Sequence, residues 1–263
     1  MAAETLYKYL DIESGLKMLE LSNIQFTNAT CLNDPFDCHP DLYNYDLCWS
    51  PFFVVEDDEP IPSSEALVES EKKGMEELRD STWICSLSKI NKSLLMWTHY
   101  CQCHQGICIG LNIERVKSYL NARLDSPYKG PKDVMVNYDK LIKKPDYFET
   151  NKGYIDYVVS TKAEEWIYEQ EVRLVLLNRY AGKVLDNNSC QFRTKDGHYL
   201  VRNPYRPTID GSCFESVYLG VRISPTNRNK VIKAARAIKP NINIYQMTID
   251  PEALRLKEEL VKY

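Results

Sequence analysis

The sequence lacks the features that mark membrane, secreted and nucleotide-loop proteins. No apolar run approaches the roughly 20 residues needed to cross a bilayer. Met1–Lys8 has no basic start followed by an apolar stretch, so no signal peptide is predicted. No glycine-rich phosphate loop, G-x-G-x-x-G pattern or internal repeat is present. These absences predict a cytoplasmic protein without a membrane partner.

An excess of positive charge is also missing. The chain has 33 lysines and arginines against 37 acidic residues, a formal net charge of -4. This balance argues against a general nucleic-acid-binding surface. One local basic run lies in a segment rich in polar residues, and it either binds phosphate or forms a solvated loop. The run comprises Arg193, Lys195, His198, Arg202 and Arg206.

The nine cysteines show no paired pattern. Their odd number and the lack of a secretion signal predict reduced thiols. The densest group of cysteine and histidine matches no common zinc spacing, so neither a metal ion nor a disulfide is predicted there. That group comprises His99, Cys101, Cys103, His104 and Cys108.

Length and composition predict one α+β domain over residues 1–263. The chain is long enough for a substantial core, and 44% hydrophobic with 27% charged residues is ordinary for a globular protein. Residues 43–80 begin with an aromatic run, continue with an acidic, proline-bearing stretch, and have too few apolar residues to fold alone. They are predicted to be an insertion or lid over the core.

Periodicity predicts a strand–helix–strand start at Leu6–Leu10, Gly15–Leu21 and Ile24–Thr27. A second such unit is predicted at Thr82–Ser88, Ser93–Tyr100 and Gly106–Ile113. Further strands are predicted at Asp133–Tyr138, Tyr154–Val159, Glu171–Leu177, Phe214–Val221 and Asn243–Thr248, and further helices at Ser64–Arg79, Glu114–Leu124 and Asn227–Ile238.

Acidic and aromatic residues are concentrated just before the strand Glu171–Leu177. Glu169 and Glu171 form E-x-E where that strand begins, and residues two apart share one face of a strand. Crowded carboxylates raise the pKa of one of them, which suits acid–base work or stabilisation of a cationic intermediate. The alternative is a solvated junction in which Arg173 serves as a salt-bridge partner.

The stretch Cys31–His39 is predicted to be a turn, since Asn, Asp and Pro favour turns. Its carboxylates, Asp34 and Asp37, either contact a ligand or belong to a rigid corner. Together with His99 and His104 they define an alternative function, a phosphodiesterase or nuclease.

Five motifs resemble the signature of a widespread, mostly bacterial family of unknown function. They are YKY at Tyr7–Tyr9, LNDPFD at Leu32–Asp37, LLMWTHY at Leu94–Tyr100, GICIG at Gly106–Gly110 and W-x-x-E-x-E-x-R at Trp166–Arg173. This resemblance implies no established activity.

A second resemblance is to ADP-ribosyltransferases. That family has a split β-sheet, a basic or histidine residue on the first strand, an S-T-S-like strand and a later E-x-E. Here Lys8, Ser86-Leu87-Ser88 and Glu169-Gln170-Glu171 follow in that order, with Lys8 in place of the usual Arg or His. The resemblance implies an α+β fold with a split β-sheet and an inserted helical region.

The same resemblance implies residue roles. Glu171 would hold the nicotinamide ribose and stabilise an oxocarbenium-like transition state, Glu169 would orient the acceptor, and Tyr100 would stack on the ring. The residues implied to contact NAD are Tyr7, Lys8, Tyr9, Ser86, Ser88 and His99. The leading hypothesis is therefore transfer of ADP-ribose from NAD to a protein or nucleic-acid acceptor, as an intracellular toxin or phage-defence effector. The alternatives are the nuclease and a nonenzymatic binding or sensor module.

Overall fold

The fold was analysed in a computed structural model of the chain. The structure describes residues 5–45, 63–122, 131–145, 153–177, 191–193, 199–201 and 204–262.

The described residues form an α+β structure built on one large sheet. The strands are β1 Thr5–Leu10, β2 Thr27–Asn28, β3 Thr82–Ser88, β4 Ile107–Asn112, β5 Lys132–Met135, β6 Asn137–Asp139, β7 Thr161–Ala163, β8 Glu171–Leu177, β9 Gln191–Arg193, β10 Tyr199–Val201, β11 Phe214–Leu219, β12 Asn243–Ile249 and β13 Leu256–Leu260. The α-helices are α1 Ile12–Glu20, α2 Ser64–Asp80, α3 Leu94–Tyr100, α4 Ile113–Asn121, α5 Tyr154–Tyr157 and α6 Pro225–Ile238.

The large sheet has the strand order β13-β12-β11-β4-β1-β3-β8-β5, and β2 also pairs with β3. Most neighbours are antiparallel, whereas β11 and β12 are parallel. The strands β6 and β7 form a small parallel pair beside the sheet, and β9 pairs with β10. The predicted mixed α+β class is therefore confirmed.

The sheet nearly divides between β1 and β3. Six residue pairs join β1 to β4, and seven join β3 to β8. Among the described residues a single pair, Tyr7 opposite Ser88, joins β1 to β3. The two strands therefore diverge and leave a gap near the middle of the sheet.

Alternation along the strands separates two apolar faces. Trp83, Cys85 and Leu87 of β3 point into a core shared with α1, α4 and α6. On the other face, Ile84 packs in a cluster with Met75 of α2. A third cluster on that face contains residues of α3 and aromatic side chains of the sheet. Helices therefore cover both faces, as burial of a two-sided sheet requires.

Local signals explain where the helices begin. The Asp11 side chain accepts a hydrogen bond from the Ser14 amide at the start of α1, and Ser93 caps α3 through the Met96 amide. Gly106 permits a close approach of two chain segments. A Cβ atom there would lie 2.2 Å from the Leu10 backbone oxygen, so a larger residue would displace the backbone.

Three predicted strands differ in the structure, and the first is Ile24–Thr27, where β2 covers Thr27–Asn28. Tyr154–Val159 was predicted to be a strand, but Tyr154–Tyr157 is helical, with the Tyr157 amide bonded to the Gly153 carbonyl. Val158 and Val159 follow it into the core, so their burial and not a strand explains the apolar run. The predicted strand Asp133–Tyr138 is interrupted at Val136 and forms β5 and β6. The terminal strand β13 was not predicted.

The predicted insertion over residues 43–80 lies partly outside the described residues. Its helix, α2, is present as expected. Three residues of the basic run, Lys195, His198 and Arg202, lie outside the described residues. None of the described helices is long and apolar enough to cross a membrane.

Candidate functional site at the gap between β1 and β3

The gap between β1 and β3 opens into a cavity of about 170 Å³. Both strands contribute to its wall, and the turn after β2, α3, β7 and the start of β8 supply the rest. The predicted site residues that line it are Tyr7, Lys8, Tyr9, Ser86, Ser88, Tyr100, Glu169 and Glu171. Residues far apart in sequence thus meet at one place, as expected for polar groups at strand ends.

His99 is the predicted site residue that does not line the cavity. It is exposed on α3, and its ring lies 6.0 Å from the ring of Tyr168. The adjacent residue Tyr100 faces the cavity instead, because successive residues of a helix point about 100° apart.

Lys8 occupies the place where the ladder between β1 and β3 is interrupted. Its Nζ donates a hydrogen bond of 2.8 Å to the backbone oxygen of Ser86. An ammonium group has three donors, so further donors remain for the cavity. No carboxylate among the described residues forms an ion pair with Lys8.

Glu169 and Glu171 converge, but not in the way the strand pattern predicted. Glu169 ends a 3-10 turn, Gln170 adopts a left-handed conformation with φ 43°, and Glu171 begins β8. The shared partner is Lys162, whose Nζ lies 2.6 Å from Glu169 Oε2 and 3.2 Å from Glu171 Oε2. The two carboxylates are therefore brought together by a backbone reversal and a common cation.

Arg173 completes a buried ionic network. Its Nε donates to Glu171 Oε1 at 2.9 Å, and its Nη2 donates to Asp37 Oδ1 at 2.7 Å. Lys162 also lies 4.0 Å from Asp37 Oδ2. The side chains of these residues are at most 5% exposed. The predicted solvated junction is therefore wrong for both glutamates, whereas the predicted role of Arg173 as a salt-bridge partner is confirmed.

Within the network, the pKa values of Glu171 and Asp37 are shifted in opposite directions. Burial alone would raise the pKa of Glu171, but the charges of Arg173 and Lys162 outweigh it and lower that pKa to about 2. Burial raises the pKa of Asp37 in spite of the same two cations. The raised carboxyl pKa that the sequence predicted for the glutamates thus occurs at Asp37, and Glu171 is ionised at neutral pH.

Hydrogen bonds fix the remaining groups at the cavity. The hydroxyl of Tyr100 donates to Glu169 Oε1 at 2.5 Å, while Lys162 binds the other oxygen. Ser86 bonds to the Glu171 carboxylate. Ser88 donates at 2.6 Å to the backbone oxygen of Glu169 and is fully buried, so it supports the turn.

Sequence reasoning missed Lys162 and the long-range role of Asp37. Lys162 stands in a short polar segment with no distinctive neighbours, and β7 was not predicted. Asp37 was singled out in a turn, but its pairing with Arg173 spans 136 positions. A lone arginine inside an apolar strand was the available signal, because a buried charge requires a partner.

The residues predicted for a nuclease do not meet at the cavity. Of Asp34, Asp37, His99 and His104, Asp37 alone contributes to its lining. The ring of His104 stacks on Trp97 at 6.4 Å. Asp34 accepts a hydrogen bond from the Phe36 amide and stabilises its own turn. No group of three or more potential metal ligands occurs among the described residues.

The cysteines that the structure describes are all free thiols. Cys101 and Cys108 are buried, whereas Cys103 is exposed. Cys48 and Cys190 lie outside the described residues.

Comparison with known proteins gives one match. A family model described as "Protein of unknown function (DUF2971)" matches residues 96–174. The matched span runs from α3 into β8 and contains Tyr100, Lys162, Glu169, Glu171 and Arg173. No curated protein and no solved structure matches the chain. The match agrees with the expected resemblance to an uncharacterised family, and it brings no activity with it.

Proposed function

We propose that this chain is an enzyme that transfers ADP-ribose from NAD to an acceptor. The observation that carries the proposal is the meeting of four groups at one small cavity. Ionised Glu171, Lys8, Ser86 and Tyr100 come from separate elements and surround it. Converging polar groups in a cleft with a strongly shifted pKa are typical of functional sites.

The gap in the sheet gives further support. A split sheet is a feature of ADP-ribosyltransferases, and here a single residue pair joins β1 to β3. The Ser86–Ser88 segment and the first-strand Lys8 border the gap from opposite sides. The order and the placement of these motifs both suit that family.

The cavity volume suits one ring of the substrate. A cavity of about 150 Å³ in another protein accommodates benzene, and the cavity here is about 170 Å³. Nicotinamide is a single six-membered ring with a carboxamide, so it fits, and the rest of the dinucleotide must extend outside. Three aromatic residues of its lining, Tyr7, Tyr9 and Tyr100, suit a planar ring.

The chemistry requires a negative charge beside the ribose. The bond between the nicotinamide nitrogen and the ribose carbon breaks, the electron pair leaves with nicotinamide, and positive charge develops on the ribose. A fixed carboxylate in a water-poor site stabilises that charge far better than one in solvent. Glu171 is ionised and buried, which supports this role, and in this proposal Glu169 orients the attacking acceptor group.

A binding module is the second candidate, because the Glu171 carboxylate is already held by two cations. Arg173 contacts both of its oxygens and Lys162 contacts one. Buried ion networks also occur for purely structural reasons. In this case the cavity binds a nucleotide without cleaving it.

The decisive experiment incubates the full chain with NAD labelled in the adenylate part, with and without cell lysate. Release of nicotinamide and transfer of label to macromolecules support the proposal, and nuclease or protease digestion then identifies the acceptor class. Glu171→Gln is the test variant, and Glu164→Gln, on the 3-10 turn that precedes β8, is the matched control. Saturable NAD binding without nicotinamide release indicates the binding module, and absence of both overturns the proposal.

A further inference from the structure

Lys162 has an unusual environment for a lysine. It lies on β7, its side chain is 4% exposed, and three carboxylates surround its ammonium group. Glu169 is at 2.6 Å, Glu171 at 3.2 Å and Asp37 at 4.0 Å. Lysine is almost never buried without such partners, because loss of hydration disfavours its charge.

The same ammonium group fixes the turn that carries Glu169. Lys162 Nζ lies 4.7 Å from the centre of the Trp166 ring, a cation–π contact within the 3-10 turn. The turn then passes through left-handed Gln170 before Glu171 begins β8. One side chain therefore contacts the middle of the turn, its last residue and the first residue of the strand.

We infer that Lys162 is a positioning residue, which holds Glu169 and Glu171 side by side at the cavity and acts through these two carboxylates. The inference deepens the proposed function and rests on it for the catalytic consequence. It adds a residue that lies outside the E-x-E motif, nine positions before Glu171. The role of Lys162 differs from that of Arg173, which contacts Glu171 and Asp37 but forms no bond to Glu169.

The charge on Glu171 depends on every group that faces it. These groups are Lys162, Arg173, Asp37, Glu169, Tyr138, the hydroxyl of Ser86 and the neutral thiols of Cys38 and Cys85. Two of them are cations, and both lower the pKa of Glu171. Removal of Lys162 leaves Arg173 as the single cation in contact and should raise that pKa.

The first test is the pH dependence of nicotinamide release. In Lys162→Met the acidic limb of the pH–rate profile should move up by about one pH unit or more, the shift typical of losing an adjacent opposite charge. Lys162→Arg retains the charge and should keep the limb near its wild-type position. Lys140→Met, which removes an exposed partner of Glu164, is the control and should leave the limb unmoved.

A second variant guards against misfolding, since Lys162→Met leaves three carboxylates around one cation. Lys162→Met/Glu169→Gln removes one charge of each sign and keeps the balance of the network. Circular dichroism and melting temperature establish folding for each variant. In the double variant the acidic limb should move up by less than in Lys162→Met, because Glu171 lacks the second cation but also loses the neighbouring negative charge of Glu169.

A measurement without NAD separates this inference from the proposed function. Carbon-13 NMR follows the carboxyl titration of Glu171, assigned by its absence in Glu171→Gln. A higher midpoint in folded Lys162→Met or in the double variant supports the inference, even if wild type releases no nicotinamide and the proposed function fails. An unchanged midpoint and an unchanged acidic limb in folded variants overturn it.

Discussion

Lys8 Nζ donates a hydrogen bond to the backbone oxygen of Ser86 at a point where β1 and β3 no longer pair. A side-chain cation thus replaces a backbone donor of the missing ladder. An unpaired buried carbonyl is costly, so this bond helps the sheet tolerate the gap. The same bond brings a positive charge to the cavity.

We expect Lys8→Met to lower the free energy of unfolding by about 1–2 kcal/mol, because the Ser86 carbonyl loses its charged donor. Lys17→Met is the matched control, since Lys17 lies on the exposed face of α1 and pairs with Glu13. The control should change stability by about 0.5 kcal/mol or less. Urea denaturation measures both, and equal effects would show that the bond does not stabilise the gap.

Glu171→Gln should weaken both stability and catalysis. Loss of the charge removes one of the carboxylates that Arg173 and Lys162 share, and breaking a buried pair costs about 3–5 kcal/mol. In the folded fraction, nicotinamide release should fall about 100-fold or more, as for loss of one preorganised electrostatic group. Denaturation curves and single-turnover assays measure the two effects. Wild-type rates in the folded variant would contradict the mechanism.

Stability should fall in acid because of Glu171. Its folded pKa is about 2, below the ordinary value of 4.5, so its contribution is full above that ordinary value and is lost as pH falls towards the folded pKa. Asp37 acts in the opposite direction, since its raised pKa favours the protonated folded state at low pH. Unfolding free energies measured between pH 7 and pH 3 should fall more steeply in wild type than in Glu171→Gln. Parallel curves would contradict this assignment.

Tyr100→Phe keeps the ring at the cavity and removes the hydroxyl that binds Glu169. Since hydrogen bonds to charged groups contribute about 1.5–3 kcal/mol, the variant should be less stable by about that amount. Tyr168→Phe is the comparison, because among the described residues the Tyr168 hydroxyl forms no hydrogen bond. Thermal melts of the two variants should differ clearly, and the same melting temperature in both would refute the proposed strength of the bond.

Thiol labelling should distinguish exposed from buried cysteines. Cys31 and Cys103 are exposed and should react with iodoacetamide in the native protein. Cys38 is buried, which raises its pKa to about 12, and Cys108 is buried as well. These two thiols should react only after the protein is denatured. Peptide mass spectrometry reads each site separately, and rapid native labelling of Cys108 would contradict its burial.

Local sequence patterns were enough to predict many of the strands and helices of the fold. Thr82–Ser88 alternates strictly and forms β3 at the predicted positions, and Ser93 caps α3 as expected. Tyr154–Val159 failed because a short apolar run is compatible with either a strand or a buried helical turn. There, tertiary burial of Val158 and Val159 decides the structure.

The candidate site was predictable at its strand ends but not at its ionic centre. The motifs around Lys8, Ser86 and Glu171 carry a local signal, and the structure brings them to one cavity. Lys162 and Asp37 have no periodicity that marks them, and their pairing depends on how distant elements meet. The sequence predicted a raised pKa for one of the two glutamates, whereas the charges of Arg173 and Lys162 lower the pKa of Glu171.

Gln170 carries no charge, yet its left-handed backbone sets the spacing of the charges on either side of it. Asparagine and glycine accept that conformation readily, whereas β-branched residues strongly resist it. The middle position of E-x-E is therefore constrained by backbone shape, although its side chain is exposed. A valine at this position would separate the two carboxylates while leaving every acidic and basic residue of the site in the sequence.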